Sequence, residues 1–124
     1  IGKPSGFYRQ VYDVVEKAQQ TAIKMLKAGI TIKELDNTAR EVIRQSCLPV
    51  YGHGTGHGLG IEIHESPFLK SETSGVLLAG QVITIEPGIY MPNKLGVRIE
   101  DDCLVTEKGC EILTRKCPHN PFLK

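Results

Sequence analysis

His53-Gly54-Thr55-Gly56-His57-Gly58-Leu59-Gly60-Ile61-Glu62-Ile63-His64-Glu65 holds three of the four histidines of a 124-residue chain, among five glycines counting Gly52. Packing alone seldom bunches imidazoles in this way. Glycine removes side chains and admits positive φ, so backbone and imidazole can crowd around a small, strongly bound object. Neutral imidazole is the commonest transition-metal ligand and also the side chain that moves protons near pH 7. The segment reads as the floor of a metal-dependent or acid–base site.

Upstream of it the sequence is helical. Over residues 5–27, Val11, Val14, Val15, Ala18, Ala22, Ile23, Met25 and Leu26 recur at three- and four-residue spacing, with Lys24 and Lys27 in the last turn and Gly29 as a stop. Thr31 is the expected N-cap of a second helix, with Glu34 completing a capping box. Leu35, Ala39, Val42 and Ile43 give that helix one apolar face, and it is expected to end near Ser46. Asp36 and Arg40, four apart, read as a solvated surface pair worth a few tenths of a kcal/mol.

Downstream the period changes to two. Residues 81–86, QVITIE, alternate and are stopped by Pro87-Gly88. Residues 95–105 predict a second strand, and Thr106-Glu107-Lys108-Gly109 turns it into a third over residues 110–113. Two helices followed by an antiparallel sheet make the chain α+β. Pro118 onwards reads as a frayed tail. Strand geometry puts Val82, Thr84 and Glu86 on one face, opposite Ile83 and Ile85. It likewise puts Arg98, Glu100 and Asp102 opposite Val97, Ile99 and Cys103, with Arg98 placed to steady Glu100 by a forked hydrogen bond. One imidazole and two carboxylates form a mixed nitrogen–oxygen donor set suited to manganese, iron, cobalt or zinc.

Composition narrows the partners. A hydrophobic fraction of 40% and a charged fraction of 23% are those of an ordinary globular domain. The net charge of +1, dispersed along the chain, and the absence of tryptophan argue against nucleic acid. No apolar run approaches the roughly 20 residues that span a bilayer. The opening IGKPSGFYRQ shows no charged-then-apolar leader, and the four cysteines include no CxxC pair, so reduced thiols and the cytoplasm are expected.

Three ordered motifs, HGTGHGLGIEIHESP, VITIEPGIY and GVRIEDDCLVTEKGCEILT, closely resemble the Xaa-Pro peptidases, prolidase and aminopeptidase P, of the pita-bread metallopeptidase group. Methionine aminopeptidases share the GHG and IEP elements but usually carry a phenylalanine–glutamate–histidine run where this chain has Arg98-Ile99-Glu100-Asp101-Asp102. The resemblance covers essentially residues 1–115 and implies the C-terminal half of a pita-bread fold. It implies two adjacent divalent ions, manganese foremost with cobalt or zinc as alternatives, held by two aspartates, one histidine and two glutamates. Its motifs assign His57 as the histidine ligand. They make Glu86 a ligand that also takes the proton of the activated water, and Glu100 the carboxylate that bridges both ions. His53 and His64 match pocket histidines that contact the substrate and stabilise the tetrahedral intermediate, and Arg98 matches an arginine that orients the carboxylates. The implied substrate is a peptide cut at the bond preceding proline.

The two aspartate ligands have no counterpart here. The remaining aspartates are Asp13, Asp36, Asp101 and Asp102; the first two lie on the helices, and Asp102 shares a face with Glu100 but is too local to stand for a separate strand. The chain opens on Ile1 rather than methionine. The expectation is a fragment comprising the C-terminal part of a catalytic domain, inactive alone, whose missing N-terminal half leaves an apolar surface or sheet edge exposed. Self-association into a homo-oligomer follows from that exposure. The rival reading is a non-catalytic pita-bread module that binds peptides or proteins.

Overall fold

The computed structural model describes residues 4–117, and the expected frayed tail from Pro118 lies outside the described residues. Helix α1 is Gly6–Met25 and helix α2 is Ile32–Gln45. Each begins where a hydroxyl can satisfy a free amide. Ser5 accepts from the Tyr8 N–H, and Thr31 accepts from the Glu34 N–H, both at 3.1 Å. Helix α1 stops one turn before Gly29, whose φ of 84° takes the left-handed conformation of the connecting turn.

Seven strands follow: β1 (Gly56–Gly58), β2 (Glu65–Leu69), β3 (Val82–Ile85), β4 (Gly88–Met91), β5 (Leu95–Arg98), β6 (Asp101–Val105) and β7 (Cys110–Ile112). Five form an antiparallel sheet in the order β2-β1-β3-β6-β7, and β4 pairs with β5 in a separate hairpin. The expected long strand over residues 95–105 is therefore two strands in two sheets, parted at Ile99-Glu100. The alternation of buried and outward residues runs unbroken through the joint, from Val97 to Ile99, Asp101 and Cys103. Hydrophobic pattern alone thus carries no mark of the change of sheet.

The core has two lobes. Ala22, Leu26, Leu35, Leu77, Ile83, Ile85 and Cys103 pack between the helices and the larger sheet. Val11, Val15, Ile43, Tyr51, Ile89, Val97 and Ile99 join the start of α1 to the hairpin. Each fully buried Val, Leu or Ile contributes roughly 1.5–3 kcal/mol before entropy is counted. Helix α1 runs past both lobes and so fixes the hairpin relative to the larger sheet. At that joint Asp101 is buried, accepting from Gln19 Nε2 on α1 at 2.6 Å and from the Thr114 hydroxyl at 2.5 Å.

The expectation of a solvated Asp36–Arg40 pair is overturned. Asp36 is fully buried on the face that α2 turns to the core, where its Oδ2 accepts from Arg40 Nε at 2.8 Å. An i, i+4 pair looks the same in sequence whichever way its helix face points; here α2 packs that face against the segment leading into the histidine loop.

Candidate metal centre

Strand β1 carries His57 into the middle of the sheet because its glycines leave room. A Cβ at Gly56 would collide with the Thr84 carbonyl, and one at Gly58 with the Ser66 carbonyl. This close approach brings the His57 amide to the Thr84 hydroxyl at 3.1 Å. The same hydroxyl donates to Glu86 Oε1 at 3.1 Å, as the shared face of β3 requires. Glu86 follows the last residue of β3, and its own amide donates to the Thr55 carbonyl at 2.7 Å. Glu100 sits in the joint between β5 and β6.

These three residues converge. One donor atom from each of His57, Glu86 and Glu100 lies within 4.8 Å of the others, the one such group of three among the described residues. His57 Nδ1 is 2.9 Å from the Gly58 carbonyl. A carbonyl only accepts, so Nδ1 carries a proton, and the neutral tautomer consistent with that bond has its lone pair on Nε2. That nitrogen is 3.3 Å from Glu86 Oε1. A lone pair facing a carboxylate oxygen is an arrangement that a cation satisfies. Burial raises the Glu100 carboxyl above its ordinary range, and the charge of Glu86 adds to the shift. Two carboxylates in mutual repulsion beside an imidazole nitrogen form a donor set that fits a divalent ion of the manganese-to-zinc series.

A cleft of about 340 Å³ opens at His57 and Glu86, with His53, His64 and Arg98 also in its wall. The rings of His57 and His64 are 4.3 Å apart between centroids. His53 is engaged at both nitrogens, by the Gly54 carbonyl at 2.7 Å and the Tyr90 hydroxyl at 2.9 Å. With Nδ1 donating to Gly54, Tyr90 is the donor to Nε2. Arg98 does not fork onto Glu100 as expected; its Nε lies 3.7 Å from Glu86 Oε2. The hairpin ends at Arg98, and its guanidinium pairs with Glu86 while remaining close enough for its charge to act on Glu100. Burial works to lower the Arg98 pKa, but Tyr90, Glu86 and Glu100 around it raise it overall. A larger crevice of about 670 Å³ runs along the helices past Thr21, Glu34, Thr38 and Glu41, and holds no comparable donor group.

Residues 1–107 match the model of metallopeptidase family M24. The chain belongs to metallopeptidase family M24. An Xaa-Pro dipeptidase from Pyrococcus furiosus is 47% identical over 116 residues, which are 93% of this chain and 33% of that protein. Among solved structures, the X-Pro aminopeptidase from Thermotoga maritima superimposes with a TM-score of 0.89 at 46% identity, covering 92% of this chain and 33% of its own. The Xaa-Pro dipeptidase from Bacillus anthracis gives 0.91 at 44% identity, with 95% and 33% covered. The M24 chain thus has the expected fold, the C-terminal half of the pita-bread architecture, and spans about a third of the length of the relatives it matches.

Two M24 site contributors carried no signal in the sequence reading. Tyr90 is a half-exposed aromatic on the hairpin, and only the tertiary approach of that hairpin to the segment before β1 brings its hydroxyl to His53. Thr55 is buried and joins α2 to Glu86, which no local spacing reveals. Among the described residues, no helix is long and apolar enough to cross a membrane.

Proposed function

We propose that this chain carries the histidine–glutamate wall of a dinuclear peptidase centre, and that the intact protein hydrolyses the peptide bond preceding proline. The observation that carries the reading is the convergence of His57, Glu86 and Glu100 beside a cleft walled by His53, His64 and Arg98. Manganese is the proposed ion, with cobalt or zinc accepted by the same donors. When bound, such ions lower the pKa of water and polarise the scissile carbonyl. His57 offers Nε2, and Glu86 and Glu100 offer carboxylate oxygens. Glu86 takes the proton from the attacking water. Its acceptance of the Thr84 hydroxyl and the proximity of Arg98 keep it aimed. His64 hydrogen-bonds the developing oxyanion. His53, tied at both nitrogens, contacts the substrate through the Tyr90 hydroxyl that it holds.

The two aspartates implied by the resemblance would come from the remaining length of the protein, so the chain alone is proposed to be inactive. Ile61 and Ile63, exposed on the turn between β1 and β2, support a covering surface from that remaining length or from a second copy. Four unpaired cysteines support a cytoplasmic location.

The test is hydrolysis of an Xaa-Pro dipeptide and an Xaa-Pro-Xaa tripeptide in Mn²⁺, by the intact protein and by residues 1–124 separately. Cleavage by the intact protein alone, abolished by chelation, is expected. Turnover by residues 1–124 alone would sink the incomplete-site reading. An intact protein that binds peptide but neither Mn²⁺ nor cleaves would be the non-catalytic module instead.

A further inference from the structure

The buried acid of α2 bonds to two separate segments. Asp36 Oδ1 accepts from the Thr55 amide at 3.2 Å and the Thr55 hydroxyl at 2.7 Å, while Oδ2 takes Arg40 Nε. Arg40 also donates to backbone: Nη1 to the Tyr51 carbonyl at 2.7 Å and Nη2 to the His53 carbonyl at 2.6 Å. Its guanidinium also lies 4.4 Å over the Tyr51 ring, which stacks on the His53 ring at 4.8 Å. Burial works to lower the Arg40 pKa, and Asp36, joined by Tyr51 and Glu72, raises it overall, so the guanidinium stays charged.

A buried ion pair is weak evidence for stability, because desolvation consumes most of the Coulombic gain and apolar residues of like volume often do as well. Apolar residues could not grip two carbonyls and a threonine at once. Both arms of the grip end in the cleft. Through Thr55, whose carbonyl accepts the Glu86 amide, it sets the backbone of a candidate metal ligand. Through the His53 carbonyl it sets an imidazole whose Nε2 receives the Tyr90 hydroxyl.

We infer that Asp36 and Arg40 form a positioning bracket that aligns His53 and Glu86 for catalysis without touching substrate or metal. This rests on the peptidase reading for its kinetic arm only. Arg40→Lys keeps a charge beside Asp36 but cannot reach both carbonyls, since the planar fork is lost. In the intact protein the variant is expected to lower kcat roughly 10–100-fold, the usual cost of a disturbed outer partner, with KM changed less than about 3-fold. Adding His53→Ala to Arg40→Lys is expected to cost clearly less than the sum of the two single losses, because the Arg40 grip on the His53 carbonyl passes through that one group.

A readout independent of activity is the ring-nitrogen NMR spectrum of ¹⁵N-histidine-labelled metal-free protein, with His53→Ala for assignment. The His53 nitrogens are expected to shift in folded Arg40→Lys while those of His64 stay in place. Unmoved His53 signals, or fully additive kinetic losses, overturn the bracket. If the wild-type intact protein cleaves no Xaa-Pro substrate, the peptidase reading falls and the His53 signals still decide the bracket. Should Arg40→Lys not fold, the near-isosteric Asp36→Asn decides, since it takes away the charge that anchors Arg40: the His53 signals are expected to move, and unmoved signals would reject the inference.

Discussion

The Thr84 hydroxyl stands between His57 and Glu86, accepting the amide of one and donating to the carboxylate of the other, each at 3.1 Å. One oxygen atom therefore ties the position of β1 to the orientation of a β3 side chain. Thr84→Val keeps the shape of the side chain and removes both bonds. The expected outcome is a 10–100-fold weaker affinity of the intact protein for Mn²⁺ by calorimetry. A stability loss of about 1–3 kcal/mol should accompany it, since the buried His57 amide loses its partner. Unchanged affinity would mean that the hydroxyl orients nothing.

The three converging donors give a sharper expectation. His57→Ala, Glu86→Gln and Glu100→Gln should each reduce Mn²⁺ affinity by more than the roughly 10–100-fold typical of outer partners. Arg98→Lys should fall within that range. Equal losses for all four would erase the distinction between ligand and orienting residue.

Gly56 tests the packing that brings the strands together. A methyl group there meets the Thr84 carbonyl, which is backbone and cannot swing aside. Gly56→Ala should destabilise the protein by about 3 kcal/mol or more, an overpacking cost at the upper end of its class. Urea unfolding measures it, and a loss below about 1 kcal/mol would show that β1 and β3 can part freely.

Tyr51 predicts an alkaline limit. Burial pushes its hydroxyl up to about 12, against the opposing effects of the Thr55 hydrogen bond and Arg40. The folded state holds this proton more tightly than the unfolded state, where the pKa is about 10. The associated stability is therefore fully present below pH of about 10 and is lost as pH rises toward about 12, on the order of 2–3 kcal/mol in all. Thermal unfolding followed from about pH 9 upward should show that decline, and Tyr51→Phe should flatten it. An equally steep decline in the variant would assign the effect to other groups.

Much of this molecule could be read before its coordinates. Thr31 announced the start of α2 because capping is local chemistry. The period-two run ending at Glu86 fixed which face of β3 carries the carboxylate. Three things stayed hidden, each for a physical reason. Glycines erase side-chain periodicity, so the pairing of β1 with β2 left no pattern in the histidine-rich stretch. Asp36 and Arg40 obey the spacing of a surface pair, and their burial depends on what α2 packs against. Arg98 and Glu100 look like neighbours on one strand, and no glycine or proline betrays the break between them.

That break has a consequence for how the chain can vary. Val97 and Ile99 are seated in one lobe of the core, Cys103 and Val105 in the other, and Glu100 lies between these anchors. Inserting or deleting a single residue between Gly96 and Cys103 would force one lobe to turn its side chains inside out or swing Glu100 away from His57. The joint can accept many changes of spelling but none of length.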